Sequence, residues 1–450
     1  MEFFVIIITE DENIKDFEFA KRIFELRKSS NMSQKKLAEE LGLTNKAISK
    51  WENGGAKPTI EQLIKLSNLF NITVDELIKP NNNENKKIYK IVLTGGPCSG
   101  KTTAMSYLQE TFTKKGYMVL VVPETASELI LGGVAPWTID SNYNFEFYIM
   151  QLQLEKEKLY EEAAKHIDNY NKVLIICDRG IMDCKPYMTD YEFDKCLKDL
   201  HTNSISLRDN YDAVFHLVTA AKGAKDFYTT ENNKARFESL EEAVIKDDNT
   251  INAWTGHPHL RVIDNSTDFA GKMHRLKGEI LNFLGEDVPF EIERKFLIEY
   301  PNIEQLEKLP NCQKIDIVQT YLKSKNGLEI RIRQRGQNGN FAYAKTIKQK
   351  VTNIKRLETE TRITKDEYLR LLLEADTNKR QIIKTRYCLM HNNQYFEIDV
   401  YPFWNDKAIM EIELRDEKQK INFPKMFKII KEVTDDENYS NYNLASQKGV

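Results

Sequence analysis

Ile91-Val92-Leu93-Thr94-Gly95-Gly96-Pro97-Cys98-Ser99-Gly100-Lys101-Thr102-Thr103 decides how the centre of this chain folds. An apolar strand runs into the spacing G-x-x-x-x-G-K-T, and Ala104-Met105-Ser106-Tyr107-Leu108 continues it as a helix. Such a loop curls so that successive backbone N–H groups point inward, and the helix adds its positive N-terminal end. A nucleotide phosphate requires that arrangement. Gly95, Gly96, Pro97, Cys98, Ser99, Gly100, Lys101, Thr102 and Thr103 are therefore the candidate nucleotide-binding residues. Lys101 is placed for the β/γ-phosphates and Thr102 for Mg²⁺. ATP and GTP are not distinguished by such a loop.

Downstream, residues 118–122 form an apolar run ending in Pro123-Glu124-Thr125-Ala126, and residues 172–176 end in Cys177-Asp178-Arg179-Gly180. Further apolar runs at 213–218 and 261–264 complete an alternating β/α pattern, which implies a parallel sheet with the nucleotide at the carboxyl ends of its strands. Asp178 then lies near Mg²⁺, and Glu124 or Asp178 can accept a proton from an acceptor hydroxyl. The segment resembles P-loop kinases of the nucleoside and nucleoside-monophosphate type, and is more similar still to the AAA-type ATPase domain allied to bacterial nicotinamide-riboside kinase. That resemblance implies catalytic roles for Glu124 and Asp178 and nucleotide contacts from Arg179 and Arg236, the latter as a lid arginine for the γ-phosphate. It also implies that Trp254-Thr255-Gly256-His257-Pro258-His259 lies in a loop near the base. A helix-capping role for Glu124 and a solvated helix charge at Arg236 stay open. His257 and His259, around a proline, have no supporting ligand set for a metal.

The whole chain has 450 residues, too many for one core, with 41% hydrophobic and 30% charged residues and a net charge of -3. That balance excludes a generally basic nucleic-acid binder, so DNA contact has to come from a local patch. Cys98, Cys177, Cys184, Cys196, Cys312 and Cys388 show no C-x-x-C spacing and read as reduced thiols of a cytoplasmic protein. No run is long enough for a membrane span, and the apolar run at 3–8 is too short for a signal sequence.

Such a patch stands near the N-terminus. Ser33 can cap a helix over 34–41, Gly42 can end it, and Thr44 can cap a second over 45–51. Two short helices across a glycine turn form a helix-turn-helix, whose second helix enters the major groove. Met32-Ser33-Gln34-Lys35-Lys36-Leu37-Ala38 and Ala47-Ile48-Ser49-Lys50-Trp51-Glu52-Asn53-Gly54 resemble the Cro/C1-type (XRE) repressor domain. The resemblance implies that Gln34, Asn45, Lys46, Ser49 and Lys50 face DNA and that the protein binds as a homodimer.

The last third carries a period of two made of charges: Glu291, Glu293, Lys295; Glu329, Arg331, Arg333; Glu358, Glu360, Arg362; Lys384, Arg386; Glu397, Asp399; Glu411, Glu413. A closed barrel with a charged lumen explains these together, acids for divalent metal and bases for polyanion. The E-x-E-x-K motif at Glu291, Glu293 and Lys295 resembles the CYTH superfamily, the triphosphate tunnel metalloenzymes. That resemblance implies metal at Glu291, Glu293, Glu411 and Glu413, with catalytic roles for the first two. It implies triphosphate binding by Lys295, Arg331, Arg333, Lys348, Lys384 and Arg386, with Lys345 competing with Lys348 from the other face. The last two segments together also resemble the TRPL translocation defect family.

The expected protein is thus multidomain: an all-α helix-turn-helix bundle at 16–79, a linker at 80–87, an α/β P-loop parallel sheet at 88–286 and an antiparallel β tunnel (α+β) at 289–445. Its expected ligands are DNA, ATP or GTP, Mg²⁺ or Mn²⁺, and a triphosphate-containing small molecule that the tunnel binds and hydrolyses. Two alternatives stand: a non-catalytic transcriptional regulator sensing nucleotide and polyphosphate, and a nucleoside-type kinase under autoregulation.

Overall fold

The computed structural model describes residues 19–446 except 21, 25, 29, 31, 71, 73, 75–76, 78–85, 169, 225–238, 287–291, 325–327, 351–355 and 415–418. Two compact units divide the chain: residues 1–87 with 168–172, and residues 88–167 with 173–450. Of the residues singled out above, Arg236 and Glu291 lie outside the described set, as does the side chain of Glu358.

In the first unit, α1 (Gln34–Leu41) and α2 (Asn45–Glu52) are followed by α3 (Ile60–Phe70). The expected local chemistry is present. The Ser33 hydroxyl accepts from the Lys36 N–H, Gly42 ends α1 at φ 69°, and the Thr44 hydroxyl accepts from the Ala47 N–H. Leu37, Leu41, Ile48, Trp51 and Leu66 bury together, which fixes the two short helices that are too brief to stand alone.

The second unit opens with a five-stranded sheet: β1 (Lys87–Gly95), β2 (Met118–Val122), β3 (Lys172–Asp178), β4 (Ala213–Leu217) and β5 (Leu260–Ile263), in the order β2-β3-β1-β4-β5. The registered pairs β1/β4, β2/β3 and β4/β5 are parallel. Alternate residues of each strand enter different cores, which is why the strands read as unbroken apolar runs. Ile91, Leu93, Leu174, Ile176 and Phe215 pack with α4 (Lys101–Lys114) and α10 (Phe269–Leu284). Val92, Ile175, Cys177 and Val214 pack with α6 (Asn142–His166) and α9 (Leu240–Trp254). Short helices α5 (Thr125–Leu131), α7 (Asp190–Asp199) and α8 (Ser204–Arg208) complete the layers.

The rest of the unit is a nine-stranded antiparallel sheet. Its strands are β6 (Ile292–Glu299), β7 (Cys312–Tyr321), β8 (Glu329–Gln337), β9 (Asn340–Lys350), β10 (Arg356–Ile363), β11 (Ile382–His391), β12 (Gln394–Val400), β13 (Lys407–Leu414) and β14 (Ile429–Glu432). They lie in the order β10-β9-β8-β7-β11-β12-β13-β6-β14. Lys348 on β9 and Glu293 on β6 stand six strands apart in that order, about 29 Å in a flat sheet at about 4.8 Å per strand. Yet the Lys348 charge reaches the Glu293 carboxyl, opposing the burial and the Glu411 charge that raise it, and charges separated by more than roughly 10 Å are largely screened from one another. The sheet is therefore rolled, with one face turned inward. Its outer face packs Phe296, Phe396, Ile398, Met410 and Ile412 against Leu306 and Phe427, and Ile332 against Tyr368 and Leu371 of α11 (Lys365–Leu371). A last helix, α12 (Asn441–Ser446), sets Leu444 and Ala445 against Tyr321, Ile382, Tyr401 and Ile409.

Candidate functional site

The phosphate loop leaves β1 at Gly95, with φ 148° and the carbonyl oxygen of Leu217 only 2.2 Å from where a Cβ would stand, so no other residue fits there. Four contacts from outside the loop pin it. Asp247 accepts from the Gly96 N–H at 2.9 Å, the Thr219 hydroxyl donates to the Pro97 carbonyl, the Ala220 N–H donates to Cys98 at 3.2 Å, and Lys272 Nζ donates to Ser99 at 3.1 Å. Lys101 turns back on its own loop, reaching the carbonyls of Gly95 at 2.9 Å and Gly96 at 3.3 Å. Burial, with the Arg179 charge beside it, lowers its pKa to about 8. Thr102 and Thr103 are exposed at the first turn of α4.

Asp178 ends β3, and Arg179 follows it at φ 68°, a strained conformation for a non-glycine residue. Glu124 occupies the N-cap position of α5 but makes no capping bond. It takes Arg179 Nε at 2.5 Å instead, so its carboxylate is not spent on capping α5. Burial pushes Glu124 up, but Arg179, the Ser127 hydroxyl and Lys101 outweigh it and hold the carboxyl at about 2. Asp178 is raised by burial, and its buried Oδ1 has no hydrogen-bond partner among the described atoms. An orphaned hard oxygen beside Lys101 of the phosphate loop fits a divalent cation, so Asp178, with Thr102 from the first turn of α4, is the residue that would hold Mg²⁺ there. Such an ion would neutralise phosphate charge.

In the rolled sheet, cross-strand register gathers the charges. Glu293 faces Glu413, Lys295 faces Glu411, and Glu411 faces Glu397. Arg386 faces Asp399, Arg331 faces Thr346, and Thr346 faces Glu360. Lys384, Arg333 and Lys348 fall on the same inward face, whereas Lys345 pairs with Ile332 on the outer one. That settles the geometry between the two lysines in favour of Lys348. Lys384 donates to Asp399, and burial and the Arg386 charge push its pKa down. Arg386 bonds Asp399 at 2.6 Å and Glu411 at 2.8 Å, and Arg333 reaches Glu360 at 2.7 Å. Burial favours a neutral Glu411, but Lys295, Arg386 and Lys384 hold it well below the usual carboxylate range. The buried Nε of Arg333 has no acceptor among the described atoms.

The carboxylates on this face do not, as arranged, fit a divalent cation. Lys295 lies 3.1 Å from Glu293 and 2.6 Å from Glu411, and Arg261 is paired with Glu413. Among the described residues no three acids, histidines or cysteines gather as a metal set. The segment expected near the base divides: the Trp254 indole donates to Asp183 at 2.9 Å and packs on Gly180, next to Asp178 and Arg179, while the residues after it turn to the rolled sheet. Tyr395 of β12 donates to the His257 carbonyl at 3.3 Å and accepts from the Gly256 N–H at 3.0 Å, so 255–259 packs on the rolled sheet. His257 is buried, donates Nε2–H to Tyr211 and accepts at Nδ1 from the His259 N–H, and burial lowers its pKa to about 3.

In the first unit, Asn45, Lys46 and Lys50 are exposed on α2 and Ser49 is half-buried beside them. The Gln34 amide donates to Glu52 at 2.7 Å, and Glu52 also holds Arg27 at 2.5 Å with both side chains buried.

Residues 90–272 match the AAA domain family and residues 23–77 match the helix-turn-helix family. The chain carries both domains. Over 85 residues it is 36% identical to the HTH-type transcriptional activator BcrR of Enterococcus faecalis, covering 17% of this chain and 42% of that one. The SPbeta prophage-derived uncharacterized HTH-type transcriptional regulator YonR of Bacillus subtilis is 38% identical over 61 residues, covering 14% of this chain and 56% of its own. The chain thus spans about half the length of these curated relatives. The crystal structure of the inorganic triphosphatase NE1496 is 28% identical, covering 36% of this chain and 99% of that one at a TM-score of 0.27.

Sequence reasoning missed several residues of these sites. Asp247, on α9 of the AAA domain, anchors the phosphate loop from 151 positions away and carries no local motif. Glu146, buried on α6 beside Cys184 and Arg179, is raised by burial to about 7. Arg335 extends the alternation of Arg331 and Arg333 by one step and was readable, but it serves Asp209 and the Gly256 carbonyl at 2.8 and 2.6 Å.

Proposed function

We propose that this protein is a DNA-binding regulator that reads phosphate ligands at two places. The AAA domain binds ATP or GTP with Mg²⁺ at the loop from Gly95 to Thr103, with Asp178 and Thr102 on the ion, and the rolled sheet binds a triphosphate-bearing small molecule. The helix-turn-helix domain binds DNA as part of a dimer, with Lys46 and Lys50 on phosphates and Asn45 on base edges. The observation that carries the second site is a row of nearly dry cations on one inward face, Lys384, Arg386 and Arg333, the last of which keeps a buried N–H with no acceptor among the described residues. A triphosphate supplies an acceptor for that N–H and several more oxygens to compete with Asp399, Glu411 and Glu360 for the row.

Calorimetric titration of tripolyphosphate and of a non-hydrolysable nucleoside triphosphate into the full chain tests this reading. Lys384→Ala is expected to weaken the first alone and Lys101→Ala the second alone. Loss of both ligands from either variant would mean one site, not two. The triphosphatase reading draws on the acids at Glu293, Glu411 and Glu413; phosphate release from a triphosphate with Mg²⁺ or Mn²⁺, abolished by Glu293→Gln, would move the conclusion to it.

A further inference from the structure

Phe269 is an exposed aromatic ring at the rim of the phosphate loop. It opens α10, 48% of it lies open to solvent, and among the described residues no other ring and no cation packs on it. A Cβ on Gly100 would meet its Cε2 at 2.6 Å, Cζ at 3.3 Å and Cδ2 at 3.8 Å. Distances that rise so steeply from one ring atom to its two bonded neighbours belong to an approach in the plane of the ring. The loop therefore touches the edge of Phe269 and leaves its faces uncovered. Gly100 stands directly before Lys101, so the ring sits where the loop enters α4.

Contacts on either side hold it there. Lys272, one turn further along α10, donates to the Ser99 carbonyl at 3.1 Å, the Val218 carbonyl at 2.7 Å and Asn265 Oδ1 at 2.8 Å. Arg275 reaches back to the Asp264 carboxylate at 2.8 Å, the Asp264 carbonyl at 2.7 Å and the Thr267 hydroxyl at 3.1 Å. The start of α10 is thereby sewn to the loop and to the end of β5. A lone exposed ring is ordinary on a protein surface. What sets this one apart is its fixed, edge-on placement beside a loop built for nucleotide phosphates.

Phosphates seated in the loop leave the nucleobase outside it, within reach of groups at the rim. We propose that Phe269 is the base platform of the AAA domain's nucleotide site, with the purine of ATP or GTP stacking on its open face. This rests on the reading of residues 95–103 as a nucleoside triphosphate site. Stacking is the recognition left to this turn, because the side chains that could read a base edge are already engaged. Asn265 spends Nδ2 on the Thr219 and Lys222 carbonyls, both at 2.7 Å, and Oδ1 on Lys272. Asp264 Oδ1 takes the Ser266 hydroxyl and Arg275, and Asp268 Oδ1 takes the Gly271 N–H. Every base presents a π-face, and a purine's is the larger, so the site favours purines over pyrimidines and treats adenine and guanine alike.

Calorimetric titration of non-hydrolysable ATP, GTP and UTP analogues into the full-length protein is the test. Wild type is expected to bind the two purine nucleotides alike and the UTP analogue several-fold more weakly. Phe269→Ala should weaken the ATP and GTP analogues about tenfold and the UTP analogue about threefold or less, so that the purine preference collapses. Phe269→Tyr keeps the ring and should keep the preference. Phe269→Leu keeps apolar bulk against Gly100 without a π-face and should behave as Phe269→Ala does. The ratio is the readout, because a ring that only propped the loop would, when removed, lower all three affinities by one factor. That result overturns the proposal, as do wild-type ratios in Phe269→Leu or a wild type that binds one purine and rejects the other. If wild type binds none of the three, the parent reading fails and the platform with it. If Lys101→Ala loses all three while Phe269→Ala leaves the ratio unmoved, the nucleotide site stands and the platform alone falls.

Discussion

Replacing Asp247 with Asn should loosen the phosphate loop from behind. Its fully buried carboxylate gathers four donors: Oδ1 takes Gly96 N–H at 2.9 Å, Thr219 N–H at 3.1 Å and His216 Nε2 at 3.0 Å, and Oδ2 takes Lys222 Nζ at 2.8 Å. Asparagine keeps the shape and one acceptor, so three contacts survive as neutral hydrogen bonds, each weaker by about 0.5–1 kcal/mol than its charge-assisted form. The fourth turns repulsive, because an NH₂ group faces the Lys222 ammonium. Lys222 retains Asp248 at 2.6 Å and is not stranded, which caps the fall in stability at about 3 kcal/mol. Since Thr219 also holds the Pro97 carbonyl, nucleotide affinity should drop by roughly tenfold with it. Urea unfolding followed by tryptophan fluorescence reports the first quantity, with Trp254 at the end of the same helix. Calorimetry reports the second. Asp248→Asn, whose side chain is 57% exposed, is the control and should change stability by less than about 0.5 kcal/mol. If Asp247→Asn matches that control in both readouts, the loop is not held from α9 and the reasoning fails.

Lys101→Ala should reduce nucleoside triphosphate affinity by about a hundredfold, measured by calorimetry, while tripolyphosphate binding persists. Lys384→Ala should weaken tripolyphosphate by about tenfold and leave nucleotide affinity unchanged, since Arg386 still holds Asp399. Lys50→Glu should lower DNA affinity across sequences and reduce its salt dependence in gel-shift titrations; an unchanged salt slope would remove α2 from the DNA interface. His257 is held neutral in the fold at a pKa near 3 against about 6.5 unfolded, so its contribution is present above pH 6.5 and lost as pH falls from there toward 3. Thermal midpoints of wild type should decline across that window, and His257→Gln should flatten the decline.

The sequence announced whatever depends on neighbours in the chain. Ser33, Gly42 and Thr44 are local capping signals, and each caps or ends the helix it was read to. The phosphate loop is contiguous, and its strand, turn and helix follow from glycine spacing and apolar runs alone. Alternating charges on β6, β8 and β13 revealed the inward face because side-chain period in a strand is fixed at two. β7 escaped that test: its inward residues, Gln313, Ile315, Ile317 and Gln319, carry no charge, so nothing in the acid and base pattern could mark it. Partnerships across long separations were equally silent. The repressor resemblance implies that Gln34 faces DNA, and nothing local shows that Glu52, 18 residues on, holds its NH₂ group. Glu124 reads as a cap or a site residue from the chain alone, and only the fold, by bringing Arg179 to it, removes the cap.

The junction of the AAA domain and the rolled sheet shows why a domain-by-domain reading falls short. Arg335 and Arg208 both bond the buried carboxylate of Asp209, which burial would raise but the two guanidinium groups hold at about 2. Desolvating three charges offsets much of their attraction, so the cluster adds little net stability compared with an apolar contact. What it supplies is orientation: a cation pair around one acid tolerates few relative placements of the two domains, and the Gly256 carbonyl fixes Arg335 further. That constraint carries β5 to the edge of the sheet, where Arg261 meets Glu413. Arg335, equivalent by spacing to two inward-facing arginines, has thus become a clamp between the two domains.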